Sequence, residues 1–451
     1  MDERGAPGTT AFPPPAAGPG GGADAPGAWY VVVLLGCVYA LNIADRYVMS
    51  VLIEPIKADL HLGDGAVAFL TGVALAFFYV TAGIPMAALA DRTNRTRLIA
   101  MSLAAWSFFT AFCGMTRTFW QLVAARVLVG VGEAGGTPPS ASLISDHFGW
   151  RRRAFALSVY SVGAAIGSMI GAGAGYISDH WGWRTTFYVL GVPGLVLAGV
   201  LYLTVREPRR GQLDDDPTPV AAASFADFLR FTVRSPQLLN CLAGSFLYCS
   251  WAWGLMWWTP SFLVRSLHMT LSDAGQSLAL IHGIGGTAVL LGTSAIMRAM
   301  QGRDVRNVPR FIALACVLGT PASIAVFSAH GQAVALAGLW VFIPVTYAVF
   351  GPPYALIQNL VPAPMRAQGM AMLMMCSNVG NLIVAPQLVG LGSDALAARY
   401  GTESLRYALL PLTFVGLWAA LHWWLSSRNL EQAMARAGNH VTPRSSTTAG
   451  A

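Results

Sequence analysis

Four charged residues stand inside apolar stretches of the chain. Asp45 and Arg46 are adjacent in Leu-Asn-Ile-Ala-Asp-Arg-Tyr (41–47), and Arg126 and Glu133 lie within Ala-Arg-Val-Leu-Val-Gly-Val-Gly-Glu-Ala (125–134). Arg126, Gly130 and Glu133 are spaced i, i+4 and i+7, so a helix presents them on one face. Carboxylates beside guanidiniums in an apolar setting suit reversible proton binding. Burial disfavours the charged carboxylate and a neighbouring arginine favours it. A conformational change that exchanges partners therefore moves the proton affinity. Asp45 and Glu133 are the candidate proton carriers, and Arg46 and Arg126 the candidate contacts for an anionic group. The competing reading is a static buried ion pair that ties two helices together.

The remaining polar and aromatic residues extend this candidate site. Asn42 shares a stretch with Asp45, and Asn378 and Asn381 are spaced i, i+3 in a later one. Amides there suit a polar substrate or helix-to-helix hydrogen bonds. Tyr248, Trp251, Trp253, Trp257 and Trp258 crowd one segment, which reads as an interfacial aromatic belt or as the wall of an apolar pocket, with Trp251 as its substrate contact. His282 reads as a satisfied core histidine. A membrane-embedded enzyme would need a nucleophile with a base, or clustered metal ligands. The nearest approaches, Asp146-His147 and Asp179-His180, fall on opposite sides of the membrane by the charge count below. The six cysteines, Cys37, Cys113, Cys241, Cys249, Cys316 and Cys376, lie in apolar segments without metal-ligand spacing. No catalytic residue, metal site or cofactor is expected.

The elements that must hold these residues are membrane spans. Of 451 residues, 55% are hydrophobic and 11% charged, and the mean hydropathy is +0.54. Soluble domains carry about 25% charged residues, so a soluble or disordered chain is excluded. Twelve spans of about 20 residues fit the length. They are expected near 30–53, 66–89, 98–115, 119–142, 153–177, 185–204, 238–259, 274–297, 309–328, 333–359, 367–391 and 405–426. The expected organisation is a disordered tail (1–28), a six-helix bundle (29–205), a cytoplasmic linker (206–237), a second bundle (238–427) and a flexible tail (428–451). With both termini cytoplasmic, twenty Lys and Arg fall on that side and six on the other. The positive-inside rule therefore places both termini in the cytoplasm, and the protein in the inner membrane if the source is bacterial. The net charge of +7 comes from Lys57 and scattered arginines rather than a basic patch, so no nucleic-acid partner is expected.

The two bundles share a repeat at an offset of 215 residues. Gly136, Pro138, Arg151, Gly175, Ser178, Asp179 and Arg184 match Gly351, Pro353, Arg366, Gly390, Ser393, Asp394 and Arg399. Parallel six-helix repeats place a substrate site at their interface near mid-membrane. At the same offset Asp45, Arg126 and Glu133 correspond to Pro260, Val341 and Ala348, which assigns the ionic chemistry to the first half. Gly163, Gly167, Gly171 and Gly175 form a ladder of small residues in span 5, expected to pack closely across the interface between halves.

The stretch Ala-Ala-Leu-Ala-Asp-Arg-Thr-Asn-Arg-Thr-Arg (87–97) resembles the signature loop of the major facilitator superfamily, with Ala87 and Asn94 in place of two glycines. Asp91, Arg92 and Arg95 are the candidate cytoplasmic gate, through a helix N-terminus and partner carboxylates. Arg126 to Gly132 resembles the superfamily's Arg-x-x-x-Gly-x-Gly motif. Together with Glu-Pro-Ile-Lys-Ala-Asp-Leu (54–60), the words at 41–47 and 125–134 resemble the Spinster-like branch. That resemblance implies an all-α polytopic membrane protein, with twelve transmembrane helices in two pseudo-symmetric six-helix bundles. It further implies a secondary transporter whose eukaryotic relatives are associated with lysolipids and sphingosine phosphates. The expected function is proton-coupled, alternating-access transport of an amphipathic or organic-anion molecule by a monomer in the lipid bilayer. The rivals are an uncoupled carrier, a drug or aromatic-acid exporter of the same fold and, remotely, a lipid-modifying enzyme.

Overall fold

The computed structural model describes residues 24–74, 92–208, 224–300, 304–349 and 351–438, with 81, 86, 89 and 90. Asp91, residues 209–223 of the linker and most of both tails lie outside the described residues. Within them the chain is helical; eleven of the twelve expected spans are described across their length, residue 350 apart, and the greater part of span 2 beyond residue 74 lies outside the described residues. Eight stretches are long and apolar enough to cross a membrane, the last of them joining spans 11 and 12.

Span 1 is Ala28–Val51, span 3 Arg95–Cys113, span 5 Trp150–Trp181 and span 6 Trp183–Thr204. In the second half, span 7 is Pro236–Leu267 and span 9 Asn307–Ser328. Side-chain caps set several starts. Asn94 Oδ1 accepts from Arg97 N at 2.8 Å, and Thr270 Oγ1 accepts from Asp273 N at 3.0 Å. The turn between spans 5 and 6 is made by Gly182, whose φ of 82° favours glycine.

Spans 4 and 10 are each broken at equivalent places. Span 4 is Phe119–Glu133 followed by Thr137–His147, and span 10 is Gln332–Tyr347 followed by Pro352–Leu360. The repeated pairs Gly136/Pro138 and Gly351/Pro353 sit at these breaks, where proline removes a helical hydrogen bond. Span 2 starts at Asp64–Ala68 and passes through a π-turn at Phe69–Val73. Span 8 is Leu271–Leu280 and Thr287–Met300 about a π-turn at Ile281–Gly286. Span 11 is Arg366–Asn378 and Ala385–Tyr400 about Val379–Val384. Span 12 is Ser404–Thr413 and Val415–Ser426. Two short helices, Phe225–Arg234 and Leu430–Arg436, lie at the face that carries the chain termini.

Within the first half span 1 packs on span 5 and span 3 on span 6. In the second, span 7 packs on span 12, and span 9 on spans 10 and 12. The halves meet where span 5 packs on span 8 and span 2 on span 11. The glycine ladder is divided between these tasks, unlike the expectation. A Cβ at Gly163, Gly167 or Gly171 would strike span 1, at Gly36, Ala40 or Tyr47, inside the same half. Only Gly175 meets the other half, 2.4 Å from Leu271 O for an added Cβ. The spacing fixes a smooth helix face, while a helix this long turns successive parts of that face to different neighbours.

Candidate functional site

Asp45 and Arg46 are consecutive on span 1, so their side chains diverge by about 100° around the helix. Each finds an opposite charge on span 4. Arg126 donates from NH1 to Asp45 Oδ2 at 2.7 Å, and Thr110 of span 3 donates to Asp45 Oδ1 at 2.6 Å. Arg46 donates from Nε to Glu133 Oε2 at 2.8 Å, with NH2 also 2.7 Å from that oxygen. Asp45, Arg126 and Glu133 are buried, and the Arg46 side chain keeps 17% exposure. The four charges thus form two neutral pairs, one shut inside the first half and one at its surface. Glu133 Oε1 is buried with no hydrogen-bond partner among the described residues.

Arg46 of the second pair borders a cavity of about 200 Å³ between the halves, with Glu133 buried behind it. Tyr39, Asn42, Arg46 and Tyr47 form its first-half wall. Tyr248, Trp253, Met256, Trp257, Leu373 and Met374 form an aromatic and thioether wall opposite. Ser377, Asn378 and Asn381 add polar atoms to that wall, and Asn381 Oδ1 is buried without a hydrogen-bond partner among the described residues. Arg46, Asn42, Asn378 and Asn381 are therefore brought together at one cavity. Arg126 stands behind it, paired with Asp45.

Trp251 is not at the cavity. It is buried inside the second half, donating from Nε1 to Ser323 Oγ at 3.3 Å, with its ring 5.3 Å from that of Phe342. Two residues along a helix turn the side chain to the far side, so Trp253 faces the cavity where Trp251 does not. The cavity-lining residues of span 7 are Ser245, Tyr248, Cys249, Trp253, Met256 and Trp257, at i, i+3, i+4, i+8, i+11 and i+12. That spacing is the signal in the sequence that identifies the lining face.

Polar contacts between the halves run from the cavity to the face opposite the termini. Trp257 donates from Nε1 to Thr71 Oγ1 at 3.2 Å, and Ser50 donates to Trp257 O. His282 is buried between Tyr47 OH, 2.8 Å from Nε2, and Tyr347 OH, 3.0 Å from Nδ1. Tyr347 in turn donates to Ser168 Oγ at 3.1 Å. The histidine is satisfied as expected, but by groups from both halves. Nearer the opposite face, Arg265 of span 7 donates to Glu54 Oε1 and to Asp64 Oδ2, each at 2.7 Å. Asp394 accepts from the backbone N–H groups of Asp64 and Gly65, each at 2.8 Å, and Asp179 accepts from Ser272 N at 2.7 Å. The molecule is fastened shut on that side.

On the terminal face, Arg92 is exposed and Arg95 is buried. Arg95 binds Asp146 at 2.6 Å, Glu207 at 2.7 Å and Ser142 at 2.8 Å, all of the first half. Glu207 also accepts from Thr96 N at 2.9 Å. Burial raises the Glu207 carboxyl, but the Thr96 N–H and Arg95 outweigh it and hold the group below its ordinary value. Asp179 is occupied at a helix start, Asp146 by Arg95, and the His147 ring by Leu143 O at 2.8 Å. Neither Asp-His pair is assembled as a catalytic group.

The sequence model of the Major Facilitator Superfamily matches residues 35–385. The chain is 31% identical over 408 residues to an MFS-type efflux pump of Mycolicibacterium smegmatis, covering 89% of this chain and 92% of the relative. It is 27% identical over 441 residues to human protein spinster homolog 1, covering 91% and 83%. A bacterial homolog of the human lysosomal transporter Spinster, solved in an inward-facing and unoccupied conformation, superposes with a TM-score of 0.78 at 26% identity. That match covers 91% of this chain and 99% of the other. Helical spans in two halves, a cavity between them and these likenesses lead to one conclusion: the chain belongs to the major facilitator superfamily, in its Spinster-like branch of membrane transporters, and is not an enzyme.

Proposed function

We propose that the chain is a proton-coupled transporter of an amphipathic, anionic small molecule, working by alternating access with its terminal face in the cytoplasm. The observation that carries this reading is Arg46, paired with the buried Glu133, at the wall of a cavity whose other wall is aromatic and thioether. A substrate's anionic group reaching Arg46 competes with Glu133 for the guanidinium. Glu133, deprived of its partner in a buried place, then takes a proton. Return of Arg46 to Glu133 expels it. Asp45 holds a second proton when Arg126 is drawn away. Asn42, Asn378 and Asn381 contact the polar part of the substrate, while Trp253, Trp257 and Met374 cover its apolar body. A proton moving down a pH gradient equivalent to about 100 mV releases about 2.3 kcal/mol, enough for a roughly fifty-fold gradient. Lysolipid-like amphiphiles are the substrate class suggested by the branch. Asp91, Arg92 and Arg95 belong to a cytoplasmic gate that closes when the opposite face opens.

The test is flux in proteoliposomes under an imposed pH gradient. Wild-type protein accumulates substrate against its gradient, and Glu133→Gln abolishes that accumulation while leaving exchange. Undiminished uphill transport by Glu133→Gln removes Glu133 from the mechanism. Wild-type flux indifferent to the pH gradient makes the chain an uncoupled carrier.

A further inference from the structure

A second cavity lies away from the transport path, at the terminal face where span 9 begins and span 12 ends. It has a volume of about 310 Å³ and is lined by Arg306, Arg310, Trp424, Ser427, Arg428 and Asn429. Three guanidiniums converge there, and their bonding differs from that of arginines with structural tasks. Arg46, Arg95 and Arg126 hold carboxylates at 2.7, 2.6 and 2.7 Å. Arg306 instead stands 3.8 Å from Asp304 and 3.4 Å from Glu431, and Arg310 stands 3.9 Å from Asp304. An N–H···O hydrogen bond needs about 2.7–3.2 Å. The Arg306 Nε atom is buried without a hydrogen-bond partner among the described residues. Arg428 lies over the Trp424 ring at 4.2 Å, which leaves the edge of its guanidinium open to an acceptor. Against three arginines stand two carboxylates, Asp304 and Glu431, so the site carries an excess positive charge.

What lies beneath the arginines selects the ligand. On span 12, Phe414, Leu417, Trp418, Leu421 and Trp424 are exposed at i, i+3, i+4, i+7 and i+10, a single apolar stripe ending at the pocket. On span 9, Leu314, Val317 and Leu318 are exposed in the turns that follow Arg310. Spans 9 and 12 pack on each other, so the two stripes border one outward-facing track. A free anion would use the arginines and leave the track uncovered. A phospholipid uses both.

We propose that this pocket is a binding site for an anionic phospholipid, its phosphate held by Arg306, Arg310 and Arg428 and its acyl chains laid along spans 9 and 12. Guanidiniums meet phosphate oxygens with paired N–H donors, and basic pockets between helices near the headgroup level suit such lipids. An anionic headgroup is preferred because a zwitterionic one brings a cation into a site already positive.

The test uses the full-length chain, purified in detergent and stripped of lipid. Phosphatidylglycerol, phosphatidylcholine with the same acyl chains, and glycerol phosphate are added in turn. Binding is read by native mass spectrometry and by the melting temperature. Phosphatidylglycerol is expected to bind and stabilise the wild type, with the other two markedly weaker. The triple variant R306Q/R310Q/R428Q is expected to lose about tenfold or more in phosphatidylglycerol affinity, as expected for removing several charges near the headgroup. Arg428→Gln alone, at an exposed residue whose guanidinium lies over Trp424, guards against misfolding and is expected to lose about threefold. Unchanged phosphatidylglycerol binding by these variants overturns the proposal. Equal stabilisation by glycerol phosphate overturns it in favour of a simple anion site, and equal binding of phosphatidylcholine overturns its charge selectivity.

Discussion

Asp394 and Asp179 occupy equivalent positions in the two halves, 215 residues apart, and each carboxylate seals a helix start in the other half. Asp394 accepts from the first N–H groups of span 2, at Asp64 and Gly65, and Asp179 from Ser272 N in the first turn of span 8. The first N–H groups of a helix have no intrahelical acceptor and carry the positive end of its dipole, so an anion there is favourable. In the proposed alternating-access cycle, opening this face breaks both contacts.

Asp394→Asn keeps the shape and removes the charge. With about 1 kcal/mol for an anion at a helix start, each such variant shifts the balance toward the form open at this face by roughly fivefold. Spin labels at the ends of spans 5 and 8, and of spans 2 and 11, read the populations as distances. Asp179→Asn is expected to act alike, and the double variant more strongly. Unaltered distance distributions in both single variants would show that neither carboxylate sets the balance.

Arg46 and Glu133 behave as a unit. Removing Arg46 alone leaves Glu133, 1% exposed, without its cation, and losing one member of a buried pair costs about 3–5 kcal/mol. Arg46→Gln is expected to lower the melting temperature clearly, whereas Arg46→Gln with Glu133→Gln recovers most of the loss. Coupling is expected to follow a different order, with uphill transport absent from every variant that lacks Glu133. A double variant as unstable as Arg46→Gln alone would contradict the pairing.

Trp253 and Trp251 separate binding from stability. Trp253→Ala is expected to weaken substrate binding by about tenfold or more with a small change in melting temperature. Trp251→Ala opens a hole against Phe342, Gly319 and Gly416 and is expected to cost about 3–5 kcal/mol of stability. Ligand titration and thermal melting of the two purified variants check this. The reverse pattern would mean that Trp251, as the sequence first suggests, is the substrate contact.

The spans were legible because a bilayer demands about 20 apolar residues per helix, and the Gly-Pro pairs at 136–138 and 351–353 mark the breaks in spans 4 and 10. The four membrane-embedded charges were equally legible, since buried ions are costly enough to stand out. Partner choice was less so. That Arg46 takes Glu133 and Arg126 takes Asp45 depends on the rotation of span 1 against span 4. The crowded tryptophans of span 7 hid the lining face, which the small and soft residues Ser245, Cys249 and Met256 trace better. Asp179 and Asp394 appeared in the sequence as a repeat match, but what each one caps comes from the other half of the chain.

Glu207 supplies a test by pH outside the membrane. Its carboxyl is held below the ordinary value by Thr96 and Arg95 despite partial burial. A group whose folded pKa is depressed contributes stability that is fully present above its unfolded value, about 4.3, and is lost as pH falls through the folded value. Glu207→Gln therefore lowers the melting temperature at pH 7, because Arg95 loses an anion and the Thr96 N–H a charged acceptor. The gap between wild type and variant is expected to persist down to about pH 5 and to close at lower pH, where the wild-type carboxyl is protonated too. Thermal melts of both proteins across that range read the effect. A gap that stays constant into acid would assign the loss to shape rather than to charge.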